Sequence, residues 1–227
     1  PGCGSCPSGQ ICGANGMANK CGVPAPTCTN LCKNQVVCDG GSTTLTGTVT
    51  APGHDNTATW GTPDPIPNAL VYVPNGTVMP FTSGVTCDQC GSDVTGSPLV
   101  SANTGIDGKF TLTNVPCGVP IPLVVQLGRW RRQVTLPAVA CCSTTAVPTT
   151  STRLPRNKTE GDIPAIAVVT GSADPMECVL PKIGIDTTEF TDPNGTGRVN
   201  FYSANGATIS GTTPTAATLF GNLTTMK

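Results

Sequence analysis

Charge, aromatic rings and histidine are all scarce in this 227-residue chain, and each shortage removes a class of function. Asp, Glu, Lys and Arg make up 11% of the residues, against about 25% in an ordinary soluble domain. The net charge is −1, so the footprint of a nucleic-acid binder is missing. Aromatics stand at 4%. No run of about 18 apolar residues occurs, so no segment is suited to span a membrane as a helix. His54 is the only histidine, and it lies between Gly53 and Asp55 in what reads as a solvated loop. Serine and cysteine hydrolases need a base beside the nucleophile, most often histidine, so this shortage argues against them. Gly-x-Ser-x-Gly, Gly-x-x-x-x-Gly-Lys and Cys-x-x-Cys-His are absent too, which removes the hydrolase elbow, the phosphate loop and covalent haem attachment. Two of the 13 acids could converge as a catalytic pair, but nothing in the sequence favours it. The expectation is no catalytic residues and no enzyme.

Cysteine, in contrast, is abundant. There are 13, and Cys3, Cys6, Cys12, Cys21, Cys28, Cys32 and Cys38 fall in the first 38 residues among Gly, Pro, Ser, Asn and Thr. A stretch with so few large apolar side chains cannot offset its chain entropy by burial, so covalent cross-links must hold it. Disulfides persist in oxidising surroundings, which places the chain outside the cell or on its surface. Cys3-x-x-Cys6 and Cys87-x-x-Cys90 have zinc-ligand spacing. Zinc sites, however, usually mix in histidine or pair two such knuckles at a set distance, so disulfides are favoured and no metal is expected. Cys117, Cys141, Cys142 and Cys178 complete the set of disulfide candidates. An odd number leaves at least one cysteine free or bonded outside the chain. Adjacent Cys141 and Cys142 cannot easily pair with each other, so they are expected to tie two different elements.

Three parts follow from composition: a cystine-rich module at 1–40, a β-sandwich at 41–150, and a C-terminal mixed segment at 151–227. Gly (27) and Pro (22) punctuate a Thr- and Val-rich chain, which describes short strands joined by many turns. Thr44-Leu45-Thr46-Gly47-Thr48-Val49-Thr50 alternates with period two and stops at Ala51-Pro52-Gly53. Asn68 to Asn75 is a second strand, ended by Pro74 and Asn75-Gly76. Asp107-Gly108 before Lys109-Phe110-Thr111-Leu112-Thr113 is a hairpin signal. Ile121 to Leu127 and Arg129 to Leu136 supply further strands. Strands at this spacing predict a Greek-key β-sandwich.

The order Thr46-Gly47-Thr48-Val49, Pro67-Asn68-Ala69-Leu70-Val71-Tyr72-Val73, Thr104-Gly105-Ile106-Asp107-Gly108-Lys109-Phe110 and Val115-Pro116-Cys117-Gly118 resembles a carboxypeptidase regulatory-like domain. The resemblance covers under half of the chain, and Gly128-Arg129-Trp130 replaces the Gly-Tyr pair usual in that family. It implies a transthyretin-like sandwich serving as a stiff spacer, stalk or adhesion module without catalytic residues of its own.

After residue 160 the character changes. Ile163 to Gly171 is a near-continuous apolar run, as in a buried strand. Ala173 to Leu180 reads as a short helix with Asp174 as N-cap and Pro175 at the first helical position, interrupted by Pro181. Together with the first two parts, Arg153-Leu154-Pro155-Arg156-Asn157-Lys158 and Glu160-Gly161-Asp162-Ile163-Pro164 resemble large secreted proteins of myxobacterial type, which implies location and architecture rather than activity. A start at Pro1 implies loss of an initiator Met and a leader. The stop at Thr225-Met226-Lys227 reads as the beginning of a longer domain.

Candidate sites are few. Arg129-Trp130-Arg131-Arg132 is a basic strand that could grip anionic polysaccharide, although a charged edge strand protected against stray pairing explains it slightly better. Asp186, Glu189, Asp192 and Asn194 beside Gly195 and Gly197 are the residues to which calcium would bind. An Asp-Pro-Asn-Gly turn accounts for Asp192 to Gly195 without an ion, so calcium stays a weak candidate. Asn75, Asn157, Asn194 and Asn222 match the N-glycan acceptor pattern. Between Asp107 and Glu160 no acid occurs, whereas Glu160 to Asp192 is acidic. These blocks are expected either to neutralise each other within the chain or, less readily, to join neighbouring molecules.

The function expected from the sequence is a non-catalytic extracellular structural or adhesive cell-surface protein, a filament subunit that assembles with itself or another surface protein. The alternative is a carbohydrate- or surface-binding appendage of a larger secreted hydrolase.

Overall fold

Alternation of buried and exposed side chains shapes the strands between residues 44 and 146. The computed structural model describes residues 6, 8, 11–12, 21–22, 28–82, 84, 94–173, 176–207 and 209–222. Among them the architecture is mainly β, a disulfide-rich sandwich with a few short helices.

β1 (Ile11–Cys12) and β2 (Cys21–Gly22) form an antiparallel ladder, and Cys6 is bonded to Cys21. A 3-10 turn at Asn30–Asn34 follows, with Cys28 bonded to Cys32. Cys3, Cys87 and Cys90 lie outside the described residues, as do Asp174 and Pro175.

The sandwich has two sheets. One is β6 (Lys109–Thr113), β3 (Thr44–Thr48) and β9 (Thr144–Ala146), in that order. The other runs β5 (Pro98–Asn103), β4 (Leu70–Pro74), β7 (Ile121–Leu127) and β8 (Trp130–Leu136). The chain passes repeatedly between the sheets, and β6 returns beside β3, so the pairing is non-local, as in a Greek key. Leu45, Leu112 and Phe110 from the first sheet meet Val71, Val73, Ile121, Leu123 and Val125 from the second in one core. Gly47 faces Phe110 across the ladder, and a Cβ at residue 47 would lie 2.8 Å from that ring. The Thr-Gly-Thr pattern therefore leaves space for an aromatic neighbour. Buried threonines satisfy the main chain: Thr104 Oγ1 donates to Ile66 O (2.7 Å) and accepts from Ala69 N (2.8 Å).

β4 and β7 are buried on both faces because the sheet is covered outside as well as inside. Tyr72, Gln126 and Arg131 are the buried polar residues of that outer layer. The chain stays on the sandwich past residue 150. Helix α2 (Thr149–Thr152) seats Thr152 Oγ1 on Thr48 O at 2.6 Å, and Leu154 joins the core. The N-terminal α1 (Thr57–Trp60) lies in the long β3–β4 connection.

Residues beyond 160 build a second, smaller cluster. β10 (Ile166–Thr170), β12 (Val199–Ser203) and β11 (Phe190–Thr191) form a parallel sheet with β12 in the middle. Val168, Ile185 and Val199 pack there with Phe190 and Phe201. The run from Ile163 thus yields a strand as expected, but an edge strand that begins at Ile166. Met176–Cys178 forms a 3-10 turn, followed by α3 (Val179–Lys182), which accommodates Pro181 inside it; α4 (Ala216–Phe220) follows β12. Among the described residues no helix is long and apolar enough to cross a membrane.

Candidate functional site

The covalent geometry centres on two adjacent half-cystines. Cys141 is bonded to Cys117 and Cys142 to Cys38, so one corner of the sandwich is tied to the β6–β7 connection and to the segment that precedes β3. Hydrogen bonds reinforce this corner. Cys117 N donates to Asn34 O (3.0 Å), Gln35 Nε2 to Asn114 O (2.7 Å), and Cys142 N to Thr43 Oγ1 (2.9 Å). Cys178 is an exposed free thiol.

The basic stretch 129–132 is not a free cationic surface. Arg131 is 5% exposed. Its Nε and Nη2 both donate to Asp162 Oδ2, at 2.9 and 2.8 Å, and the guanidinium lies 4.0 Å from the Phe81 ring centre. Arg129 approaches the same ring and donates to Thr82 O at 3.1 Å. Arg132 Nη1 donates to Thr150 O (2.7 Å), and Trp130 packs against both hydrophobic clusters. β8 is the last strand of its sheet, and at Arg131 its edge is bridged by main-chain hydrogen bonds in both directions with Asp162. Charge therefore serves packing here as much as edge protection.

Among the described residues, three buried atoms of this outer layer meet no partner with hydrogen-bond geometry, Tyr72 Oη, Gln126 Oε1 and Arg131 Nη1, although the Arg131 guanidinium lies near enough to act on the Tyr72 hydroxyl. Burial raises the Tyr72 hydroxyl above its ordinary pKa, while the Arg131 guanidinium acts in the opposite sense. Leaving a buried hydroxyl unpaired forfeits its hydration without return. Tyr72→Phe is therefore expected to leave stability unchanged or raise it by about 1 kcal/mol. Urea denaturation checks this, and a loss of that size would contradict it.

The opposed charge blocks meet inside the chain. Arg153 holds Glu160 through two hydrogen bonds of 2.6 Å, and Arg156 N donates to the same carboxylate at 2.8 Å. Arg156 also reaches Asp55 at 2.8 Å, Pro52 O at 3.3 Å, and accepts Asp186 N at 2.9 Å. Fully buried Glu189 accepts Lys158 N (2.7 Å) and Arg198 N (3.0 Å). Hydrogen bonds from Arg153 lead the effects that take Glu160 from 4.5 to about 2, against the penalty of burial. The depressed folded value means that this stabilisation is present above pH 4.5 and disappears as pH falls toward 2. Glu160→Gln is expected to cost roughly 1–2 kcal/mol at neutral pH, allowing for partial solvent screening. The gap to the parent should close as acid protonates Glu160, which denaturation at stepped pH checks.

The residues considered for calcium hold other partners. Asp186 Oδ1 accepts from Thr188 N (2.9 Å) and Thr188 Oγ1 (2.8 Å), capping a 3-10 turn at Thr187–Glu189. Asp192 accepts from Thr212 (2.7 Å), Thr213 (2.8 Å) and Ser210 (3.5 Å), and Asn194 is exposed in the turn closed by Gly195 N to Asp192 O. These donors lower both carboxyls. Among the described residues no group of three or more His, Cys, Asp or Glu could hold a metal. Of the glycan-acceptor asparagines, Asn75 Oδ1 accepts from Cys32 N at 3.2 Å and Asn157 Oδ1 from Thr159 N at 3.0 Å, while Asn222 follows α4.

One site was not anticipated from the sequence. His54, expected in a solvated loop, is half-buried and stacks on Trp60 with ring centres 4.2 Å apart at 21°. Its Nε2–H donates to Pro181 O at 2.7 Å, across 127 residues. A cavity of about 160 Å³ opens there between the β3–β4 connection and α3. Asp64, Thr62 and Lys182 line it with the two rings. The sequence carries one sign of it that the reading above passed over, Trp60 within the polar stretch from Asp55 to Asp64.

No family model matches this sequence, and no curated protein does. Similarity to solved structures is found in a type II cohesin–X-dockerin complex from Acetivibrio cellulolyticus. For its N-terminal interface mutant the identity is 15% and the TM-score 0.31, over 63% of this chain and 85% of that chain. For the C-terminal interface mutant the values are 14% and 0.29, over 59% and 78%.

Proposed function

We propose that this chain is a non-catalytic extracellular structural or adhesive protein of the cell surface, assembling with copies of itself or with a second surface protein. The observation that carries this is the pair of neighbouring half-cystines, Cys141 and Cys142, each bonded to a different element. Tension entering through the N-terminal module passes by covalent bonds into the corner of the sandwich rather than through hydrogen bonds alone. Such bracing suits a stalk, spacer or fibre subunit exposed to oxidising surroundings. The transthyretin-like resemblance of residues 41–150 to carboxypeptidase regulatory-like domains belongs to the same proposal, as does the likeness to myxobacterial secreted proteins. The test is protein taken from its native envelope and run denatured with and without reductant. Species larger than the 23.0 kDa chain that collapse on reduction support assembly. Hydrolysis of a peptide or glycan library by the soluble monomer would overturn the proposal.

A further inference from the structure

We propose that the cleft at Trp60 binds one neutral sugar residue of a glycan chain; this goes beyond the scaffold assignment and stands if that assignment fails. Trp60 is 49% exposed although it is a large apolar ring. It is not a loose surface side chain. It ends α1, whose N-cap Asn56 accepts from Thr59 N at 3.2 Å, and its ring is stacked on His54, itself fixed by Pro181 O. An indole held in place and open to solvent is a platform whose π face attracts weakly positive C–H groups. A pyranose presents such groups on one face and hydroxyls around its rim.

The surroundings match that rim. The side chains of Asp64 and Lys182 are exposed at the cavity and meet no protein partner among the described residues, while the Asp64 main chain is held by Ala51 N at 2.9 Å; His54 Nδ1 is likewise open once Nε2 donates to Pro181 O. These supply two acceptors and one donor for hydroxyls. The opposite charges of Asp64 and Lys182 disfavour a ligand carrying net charge of either sign. A purely apolar ligand would strip water from both without replacing it. A cavity of about 160 Å³ accepts a single six-membered ring rather than a drug-sized ligand or a peptide side-chain series.

The probe is a panel of soluble β-glucan, β-xylan, chitin and mannan hexasaccharides, followed through the Trp60 indole N–H resonance of the intact chain. At least one member is expected to shift it saturably with a dissociation constant on the order of 1 mM. Trp60→Ala should weaken that binding at least tenfold, Trp60→Phe should retain part of it, and the Trp130 resonance should not move. Asp64→Asn, an exposed and isosteric change, should weaken binding several-fold while the thermal midpoint stays unchanged. No shift with any member up to roughly 10 mM, undiminished binding by Trp60→Ala, or shifts confined to other residues would overturn the proposal.

Discussion

Replacing Cys38 and Cys142 together by alanine is expected to lower the unfolding free energy by about 4–5 kcal/mol. The bond closes a loop of 104 residues, so its loss returns a large conformational freedom to the unfolded chain. The hydrogen bonds from Cys142 N to Thr43 Oγ1 and from Thr44 N to Ser143 O have main-chain donors that alanine keeps, so the expected loss is that of the cross-link itself. For a chain of this length the midpoint should fall by roughly 10–15 °C. Cys117 and Cys141 close a shorter loop of 24 residues nested in the larger one. Their removal is expected to cost about 3 kcal/mol. Differential scanning calorimetry of both double variants checks the order as well as the size. A Cys38/Cys142 variant that melts with the parent would show that hydrogen bonds alone hold the segment around Cys38 to the sandwich.

The second large effect is at the contact between the sandwich and the smaller parallel sheet. Gly184 has φ +100° and lies against the main chain of Gly53, where an added Cβ would sit 2.3 Å from Gly53 N and O. Gly53 N also donates to Ile183 O at 2.8 Å. Gly184→Ala must both strain its own backbone and push the two loops apart. The expected loss is about 3 kcal/mol, or a fall of roughly 6–12 °C in midpoint. Because His54 and Lys182 flank this contact, the same change should disturb the Trp60 indole resonance. A variant that melts within a degree of the parent would mean that the two clusters are not pressed together at residues 53 and 184.

Much of the sandwich was legible because its strands alternate. Phe110 and Leu112 point inward and Lys109, Thr111 and Thr113 outward, as period two requires. Asp107-Gly108 marked the turn before them. β5 escaped notice because Pro98 opens it and Ser101 and Asn103 read as loop, although it pairs with β4 along its length. β9 is three residues of Thr and Ala whose place is decided by parallel pairing with β3, a long-range contact without a local pattern. That Cys141 and Cys142 bond different elements followed from their adjacency, but their partners depend on the fold. Neutralisation between the basic and acidic blocks was foreseeable from their order. The burial of Arg131 beneath Phe81 was not, since it needs Phe81, which follows β4, to reach a residue of β8. The Trp60 cleft was the least legible feature. It exists because α3 brings Pro181 to His54, and no spacing in either segment announces that meeting.

The most direct test of the braced scaffold is a non-reducing peptide map of native protein after thiol alkylation, using electron-transfer fragmentation to separate the adjacent half-cystines. The account predicts Cys38 linked to Cys142, Cys117 linked to Cys141, and alkylated Cys178. Exchanged partners, or free thiols at any of Cys38, Cys117, Cys141 and Cys142, would contradict it.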